Sequence, residues 1–250
     1  MGARKGEGRA IAALLGVTVI WGWTFTWMKA ALNAAEHVLG AGSSTAAIGV
    51  FLVLRFGIAG ALLPLINRSA RTGLRHLGNW LDGGLLAVII FAGFALQMFG
   101  LTEVSPAVSA FLTSTYVVFT ALMSVWTGSE RLGRALVVGV GLVTLGASLI
   151  SGPPQVSFGV GEWLTVASAV VFALHIVATD RITRRREPMV ISTISFTLVA
   201  AISALVVAAA GVDVAMLKAL LGERAFVVNV GFSAVLGTLV ALVALNVFQR

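Results

Sequence analysis

A single arginine in the middle of a long apolar stretch is the residue of this chain best suited to binding chemistry. Arg55 lies within the run from Ala46 to Ile66. If that run crosses a bilayer, the charge costs about 2.5–3.5 kcal/mol at its centre, so it should face a cavity or a partner rather than lipid. Two interpretations stay open. The guanidinium contacts an anionic ligand group such as a carboxylate, or it makes fixed hydrogen bonds to neighbouring carbonyls or to Gln97.

His175 is a second titratable side chain inside an apolar run, flanked by Leu174 and Ile176. Imidazole exchanges protons near neutral pH, so one interpretation is proton coupling and the other is a hydrogen bond between helices. The acidic residues around these runs fall at run ends: Asp82, Glu103, Glu162 and Asp180. A carboxylate proton relay is therefore not indicated.

Aromatic and small polar side chains inside the apolar runs complete the candidate binding set, because ligand sites combine apolar walls with a few polar groups. For Trp21 the alternative is an interfacial anchor, and for the amides it is hydrogen bonding between helices. No convergent nucleophile and base and no metal-spaced ligands appear within the runs, so an enzyme is not expected. The candidate substrate-binding residues are Trp21, Thr24, Arg55, Gln97, Thr113, Tyr116, His175 and Asn246.

The composition places these residues in a membrane protein. Of 250 residues, 58% are hydrophobic and 11% are charged, whereas soluble domains carry about a quarter charged residues. The net charge of +7 would suggest a nucleic-acid partner in a soluble protein. Here the basic residues stand in short connections between apolar runs, so membrane lipid is the expected environment and nucleic acid is not an expected partner. Cysteine is absent, which excludes disulfides and thiolate metal sites, and no cofactor is expected.

Eight apolar runs approach the length of about 20 residues that a helix needs to cross about 30 Å of hydrocarbon. Their continuous apolarity favours helices over barrel strands, which alternate. The sequence therefore predicts an all-α polytopic membrane protein. The predicted spans are Ile11–Met28, Ala46–Ile66, Gly83–Leu101, Ser105–Trp126, Ala135–Ile150, Gly161–Thr179, Met189–Gly211 and Ala225–Gln249.

Basic residues concentrate in alternate connections, which predicts the orientation of the chain. The poorer set of connections holds Lys29, Lys218 and Arg224. The richer set should be cytoplasmic, with both chain ends, and this alternation also supports the count of eight. The richer set holds Arg4, Lys5, Arg9, Arg68, Arg71, Arg75, Arg131, Arg134, Arg181, Arg184, Arg185, Arg186 and Arg250.

The two halves of the chain are weakly similar. The segment 94–99 in the third span matches 243–248 in the eighth, and Trp21-Gly22 in the first aligns with Phe172-Ala173 in the sixth. An odd number of spans in the first half makes the repeats inverted, and transporters built this way bind substrate near the midplane between the repeats.

A proline-containing connection separates these halves, since neither Pro153 nor Pro154 continues a helix. The predicted organisation is a first repeat over 10–151, a connection over 152–160 and a second repeat over 161–250. The second repeat stops where the first has two more helices. The chain is therefore expected to be a fragment, or a degenerate form, of a ten-helix protein.

A series of short motifs runs along nearly the whole chain. The motifs are Trp21-Gly22 with Lys29, Leu54-Arg55-Phe56, Ser105-Pro106-Ala107, Ala110-Phe111-Leu112-Thr113 with Tyr116-Val117-Val118, Glu130-Arg131-Leu132, Gly139 with Gly146, Gly161-Glu162 and Asp180-Arg181. In their order and spacing they resemble the motifs of EamA-domain permeases of the drug/metabolite transporter superfamily. One departure is Val117, where many members have proline.

The resemblance implies ten helices in two inverted five-helix repeats and a carrier of small metabolites. Such a permease would export amino acids or drug-like compounds across the bacterial inner membrane by alternating access, with proton or exchange coupling and with a homodimer as one assembly. Two alternatives stay open: a flippase-type subunit of the same fold acting on a lipid-linked headgroup, and a membrane scaffold that does not transport.

Overall fold

Every regular element that the structure describes is helical. The computed structural model describes residues 2–128, 133, 137–139, 141–142 and 159–248. A π-helical segment, Val235–Val240, separates the last two helices. The helices are α1 (Gly2–Leu39), α2 (Ser44–Ile66), α3 (Arg68–Gly73), α4 (Leu77–Glu103), α5 (Pro106–Ser114), α6 (Tyr116–Trp126), α7 (Val160–Thr183), α8 (Pro188–Ala209), α9 (Val214–Gly222), α10 (Arg224–Ala234) and α11 (Ala241–Phe248).

Among the described residues, seven helical stretches are long and apolar enough to cross a membrane. They coincide with seven of the eight predicted spans, and the remaining prediction, Ala135–Ile150, lies largely outside the described residues. The chain is thus an all-α polytopic membrane protein, as the sequence predicts. The seven stretches are Ile11–Leu39, Ser44–Ile66, Leu77–Glu103, Pro106–Trp126, Val160–Thr183, Pro188–Ala209 and Arg224–Leu245.

The fourth predicted span is found as one apolar stretch, Pro106–Trp126, and a break at Thr115 divides it into α5 and α6. The hydroxyls of Ser114 and Thr115 donate to the carbonyls of Phe111 at 2.7 Å and Leu112 at 2.5 Å. Hydroxyls bonded back to the preceding turn compete with the helix ladder and bend helices. The break between α5 and α6 follows from this pair, and it lies two residues before Val117.

Two short helices, α3 and α9, were not predicted because neither is long enough to cross a membrane. Each begins at a polar cap. The Asn67 side chain accepts from the N–H of Ala70 at 3.0 Å, and the Asp213 carboxylate accepts from the N–H of Met216 at 2.7 Å. Such caps satisfy backbone donors that a helix start leaves open.

The chain forms two compact units. The first comprises 1–84 and 186–250, and the second comprises 85–185. Helix α4 contributes its beginning to the first unit and the rest to the second.

In the first unit, α2 and α8 pack in antiparallel directions along a row of glycines. A Cβ at Gly49 would lie 2.7 Å from Val207 Cγ2, and one at Gly60 would lie 2.9 Å from Thr197 Oγ1. As numbers rise along α2, the numbers of the contacted residues fall along α8. Small residues allow this close approach, which is how helices associate within lipid.

The same unit pairs α1 with the stretch formed by α10, the π-helical segment and α11. Trp27 stacks on Phe232 with ring centroids 5.4 Å apart. Further toward the start of α1, Trp21 bonds to Gly237. The two stretches are therefore antiparallel as well.

In the second unit, α4 packs against α7, and α5 and α6 also contact α7. Phe94 and Phe172 meet edge to face at 5.2 Å. A Cβ at Gly100 would come within 2.8 Å of the carbonyl oxygen of Gly161. Contacts again run in opposite directions along the two helices.

Each of these three pairings joins an odd-numbered and an even-numbered predicted span: the first with the eighth, the second with the seventh, and the third with the sixth. If the chain crosses the membrane at every span, an odd-numbered span and an even-numbered span must run in opposite directions. The antiparallel packing of these three pairs is therefore the direction that the eight predicted crossings require. An exchange of the two predicted repeats would also leave this set of pairings unchanged.

Candidate functional site

Arg55 lies at a junction of three helical stretches in the first unit. Its Nε donates to Thr238 Oγ1 at 3.0 Å, and its Nη1 lies 3.5 Å from Met28 Sδ. The guanidinium carbon is 5.6 Å from the centre of the Phe56 ring. The arginine is 3% exposed. It is held between α1 and the π-helical segment, as a charge within a span should be.

The π-helical segment supplies the hydroxyl that receives Arg55. Thr238 Oγ1 also donates to the carbonyl of Ser233 at 3.1 Å, five residues earlier. Single-turn π-helices inside α-helices widen the ladder and frequently occur at functional sites. Here the widened turn brings Gly237 and Thr238 to Arg55.

Two side chains of α1 complete this cluster. Trp21 Nε1 donates to the Gly237 carbonyl at 3.1 Å, and Thr24 Oγ1 donates to the Trp21 carbonyl at 2.6 Å. Glycine at 237 permits this close approach, since a Cβ there would lie 2.6 Å from Thr24 Cγ2 and something would have to shift. Thr24 is buried, whereas Trp21 is 40% exposed.

The structure thus brings three of the predicted residues, Trp21, Thr24 and Arg55, into one cluster. It adds three that were not predicted: Met28, Gly237 and Thr238. The sequence signal for these residues is the Gly237-Thr238 pair within an apolar run. Thr238 is one of many threonines in the apolar runs, so the sequence gives no reason to choose it as the partner of Arg55. We call these six residues the arginine cluster.

Two other predicted residues meet in the second unit. Gln97 Nε2 lies 3.2 Å from Thr113 Oγ1, and both side chains are buried. Ser109, one turn before Thr113 on α5, is fully buried. Neither Gln97 Oε1 nor Ser109 Oγ has a hydrogen-bond partner among the described residues. This hydrogen bond joins α4 to α5, so it fits the interpretation of an amide that holds helices together.

Among the described side chains, those of Tyr116 and His175 take part in neither of these two sets of contacts. Tyr116 begins α6 and is half-buried, and His175 is half-buried on α7. Asn246 belongs to α11, and its side chain lies outside the described residues. Within the part of the chain that the structure describes, no three His, Asp or Glu side chains gather as metal ligands. The motif Glu130-Arg131-Leu132 also lies outside the described residues.

A model of the EamA-like transporter family matches residues 8–152, which is more than half of the chain. This chain belongs to that family. The match begins within α1 and extends past α6, and it therefore covers Trp21, Thr24, Arg55, Gln97, Thr113 and Tyr116. The sequence-based resemblance to EamA-domain permeases is confirmed.

Two further proteins are similar to this family member. An uncharacterized transporter of Archaeoglobus fulgidus is 26% identical over 178 residues, which are 70% of this chain and 50% of that protein. The chain therefore spans about half the length of this curated relative. A solved crystal structure shares the fold with a TM-score of 0.52 and 22% identity, over 91% of this chain and 84% of that one. Family membership and the relative's name support a membrane transporter.

Proposed function

We propose that the protein exports small metabolites, amino acids or drug-like compounds among them, across the bacterial inner membrane by alternating access. Its N-terminus is then cytoplasmic, in line with the distribution of basic residues. Family membership supports a membrane transporter, and the substrate class and the alternating-access mechanism are what we add to it. It treats the protein as a carrier rather than an enzyme.

The observation that supports this substrate class is the burial of the Arg55 side chain within a span. A buried guanidinium within a span is costly, and the contacts of Arg55 include an uncharged hydroxyl at Thr238 and a thioether at Met28. A carboxylate is a stronger partner for arginine than a hydroxyl, because both groups are charged and two parallel N–H···O bonds can form between them. We therefore place the substrate carboxylate at the arginine cluster, where it replaces Thr238 as the acceptor.

The pairing of the helices supports the alternating-access part of the proposal. In the predicted repeats, spans one to three correspond to spans six to eight. If each span is replaced by its counterpart, the pairing of the first span with the eighth becomes the pairing of the sixth with the third. Inverted repeats of this kind move against one another around a fixed site in known transporters. Since Arg55 is 3% exposed, substrate must reach it in another conformation, which alternating access provides.

Counterflow in proteoliposomes tests the proposal. The 250-residue chain is reconstituted, and the vesicles are loaded in turn with unlabelled amino acids, other small carboxylates and the matching amines. Uptake of the same compound, labelled and added outside, is then measured. We expect uptake of carboxylates in the wild type and loss of this uptake in Arg55→Ala. Arg55→Lys should retain part of it, since the charge stays but the forked geometry is lost.

Thr238→Val is the matched control, because it removes the hydroxyl that contacts Arg55 and leaves the charge. We expect this variant to retain uptake with a changed KM. Full carboxylate uptake by Arg55→Ala would exclude Arg55 from the substrate site. A wild-type chain that exchanges none of the compounds would contradict transport by these 250 residues.

A further inference from the structure

A short stretch of basic surface follows α2 in the first unit. Arg68 and Arg71 stand one turn apart on α3, and Arg75 follows one turn later; all three are exposed. No acidic residue occurs from 37 to 81. We call Arg68, Arg71 and Arg75 the arginine stripe.

The backbone beneath the arginine stripe is fixed by buried contacts. Ala70 is fully buried, and a Cβ at Gly73 would collide with the Val190 side chain of α8. From the start of α4, the Asn79 amide donates to the Gly73 carbonyl and the Trp80 indole donates to the Leu74 carbonyl, both at 2.8 Å. A rigid support lowers the entropy lost when a ligand binds.

The nearest carboxylate in sequence does not neutralise the stripe. Asp82 accepts from Arg186 Nε at 2.7 Å, and its side chain is 15% exposed. Within the described residues, no ion pair involves Arg68, Arg71 or Arg75. The stripe therefore presents three positive charges to the surroundings.

Apolar side chains border the stripe on both sides. Leu65 and Ile66 end α2 and are 70% and 58% exposed, and Leu77 and Leu81 begin α4 and are 76% and 71% exposed. In a membrane protein such side chains contact acyl chains, so the arginines between them stand at the level of the lipid headgroups. Indole groups such as that of Trp80 favour the same level.

We propose that the arginine stripe binds the phosphate groups of anionic phospholipids in the adjoining leaflet. Guanidinium matches phosphate with paired hydrogen bonds, and basic clusters next to a membrane span attract anionic headgroups. The stripe belongs to the connections predicted to be cytoplasmic, where anionic lipid is enriched. This surface is separate from the arginine cluster and does not depend on transport.

Native mass spectrometry of the full chain in neutral detergent tests this site. Phosphatidylglycerol and phosphatidylcholine with identical acyl chains are titrated separately, and retained lipids are counted. We expect the wild type to prefer phosphatidylglycerol, with a preference that weakens as salt rises. Each arginine changed to glutamine should lower the affinity about fivefold, and Arg68→Gln, Arg71→Gln and Arg75→Gln together about 100-fold.

Lys218→Gln with Arg224→Gln is the control, since both residues are exposed and belong to the opposite set of connections. It should keep the preference, and the corresponding triple lysine variant should keep part of it. Thermal melting of each sample establishes that the variants are folded. Equal retention of the two lipids by the wild type, an unchanged preference in the triple glutamine variant, or an equal loss in the control would overturn the proposal. Displacement of the lipid by poly-glutamate at equal charge would indicate a soluble acidic partner and overturn it too.

Discussion

The Trp21 indole donates to the backbone carbonyl of Gly237 at 3.1 Å, across 216 positions of sequence. The bond joins the first span to the π-helical segment that also holds Thr238 against Arg55. The position of the arginine therefore depends on how closely α1 approaches residue 237.

Gly237→Ala tests this close approach. The added Cβ would lie 2.6 Å from Thr24 Cγ2, so α1 and the π-helical segment must separate. Overpacking of this kind costs about 1–3 kcal/mol. We expect a loss of this size in the free energy of unfolding, measured by denaturant titration in mixed micelles.

Gly231→Ala is the control, because a Cβ at that position meets no atom within 4 Å. Thr24→Ser should rescue Gly237→Ala, since it removes Cγ2 and keeps the hydroxyl that bonds to Trp21. If both alanine variants are equally stable, the close approach is not a constraint.

The ion pair between Asp82 and Arg186 should contribute more than the pair between Asp180 and Arg184. The first has side-chain exposures of 15% and 34%, and the second has 55% and 73%. Exposed pairs four residues apart on a helix contribute about 0.3–0.5 kcal/mol. In double-mutant cycles, each aspartate is replaced by Asn and each arginine by Gln. The coupling energy between Asp82 and Arg186 should be about 1 kcal/mol or more. Equal coupling energies in the two cycles would contradict this ranking.

The sequence predicts the spans well because a bilayer imposes a local demand. About 20 consecutive apolar residues are needed to cross it, and residues such as those from Ala46 to Ile66 meet that demand wherever they pack. The alternation of basic connections adds the direction of each span. The antiparallel contact of Gly60 with Thr197 agrees with these directions.

The side chains that contact the candidate binding residues were harder to predict, because the lipid and the protein interior are both apolar. A span such as α2 therefore shows little contrast between its two faces, and the periodicity that identifies buried faces in soluble helices is weak. The contact of Arg55 with Thr238 spans 183 positions. It also requires a π-helical turn that no residue type specifies.

The two predicted repeats and their substrate residues stay predictions. Gln97 was expected either to hold helices together or to contact substrate, and the bond to Thr113 favours the first interpretation. Replacing Gln97 by Leu and Thr113 by Val, singly and together, should give a coupling energy of about 0.6 kcal/mol. If the amide only joins helices, KM for any transported compound should change little.

Asn229→Leu serves as the comparison for that cycle, because the Asn229 amide donates to the Ala225 carbonyl of its own helix at 2.7 Å. It should show no coupling to Thr113→Val. A tenfold rise in KM for Gln97→Leu, with unchanged stability, would assign Gln97 to the substrate site instead.

A cross-link between α2 and α8 tests the antiparallel pairing most directly. A Cβ at Gly57 would lie 3.7 Å from Ala200 Cβ, and disulfides need a Cβ–Cβ distance of about 3.5–4.5 Å. The natural chain has no cysteine, so Gly57→Cys with Ala200→Cys introduces the only two thiols. We expect rapid oxidation to a reducible bond, seen as a shift in gel mobility after cleavage of the chain between the two sites.

Gly22→Cys with Ala200→Cys is the matched control, since a Cβ at Gly22 meets no atom within 4 Å and should not cross-link. Gly60→Ala supplies a second measurement on the same interface. Its Cβ would lie 3.1 Å from the Thr197 backbone nitrogen, which yields less readily than a side chain, so Gly60→Ala should destabilise where Gly57→Ala does not. Cross-linking in the control pair, or none at 57 and 200, would contradict the observed register. The register matters beyond these two helices, because α2 carries Arg55 and its packing against α8 fixes where that arginine meets the π-helical segment.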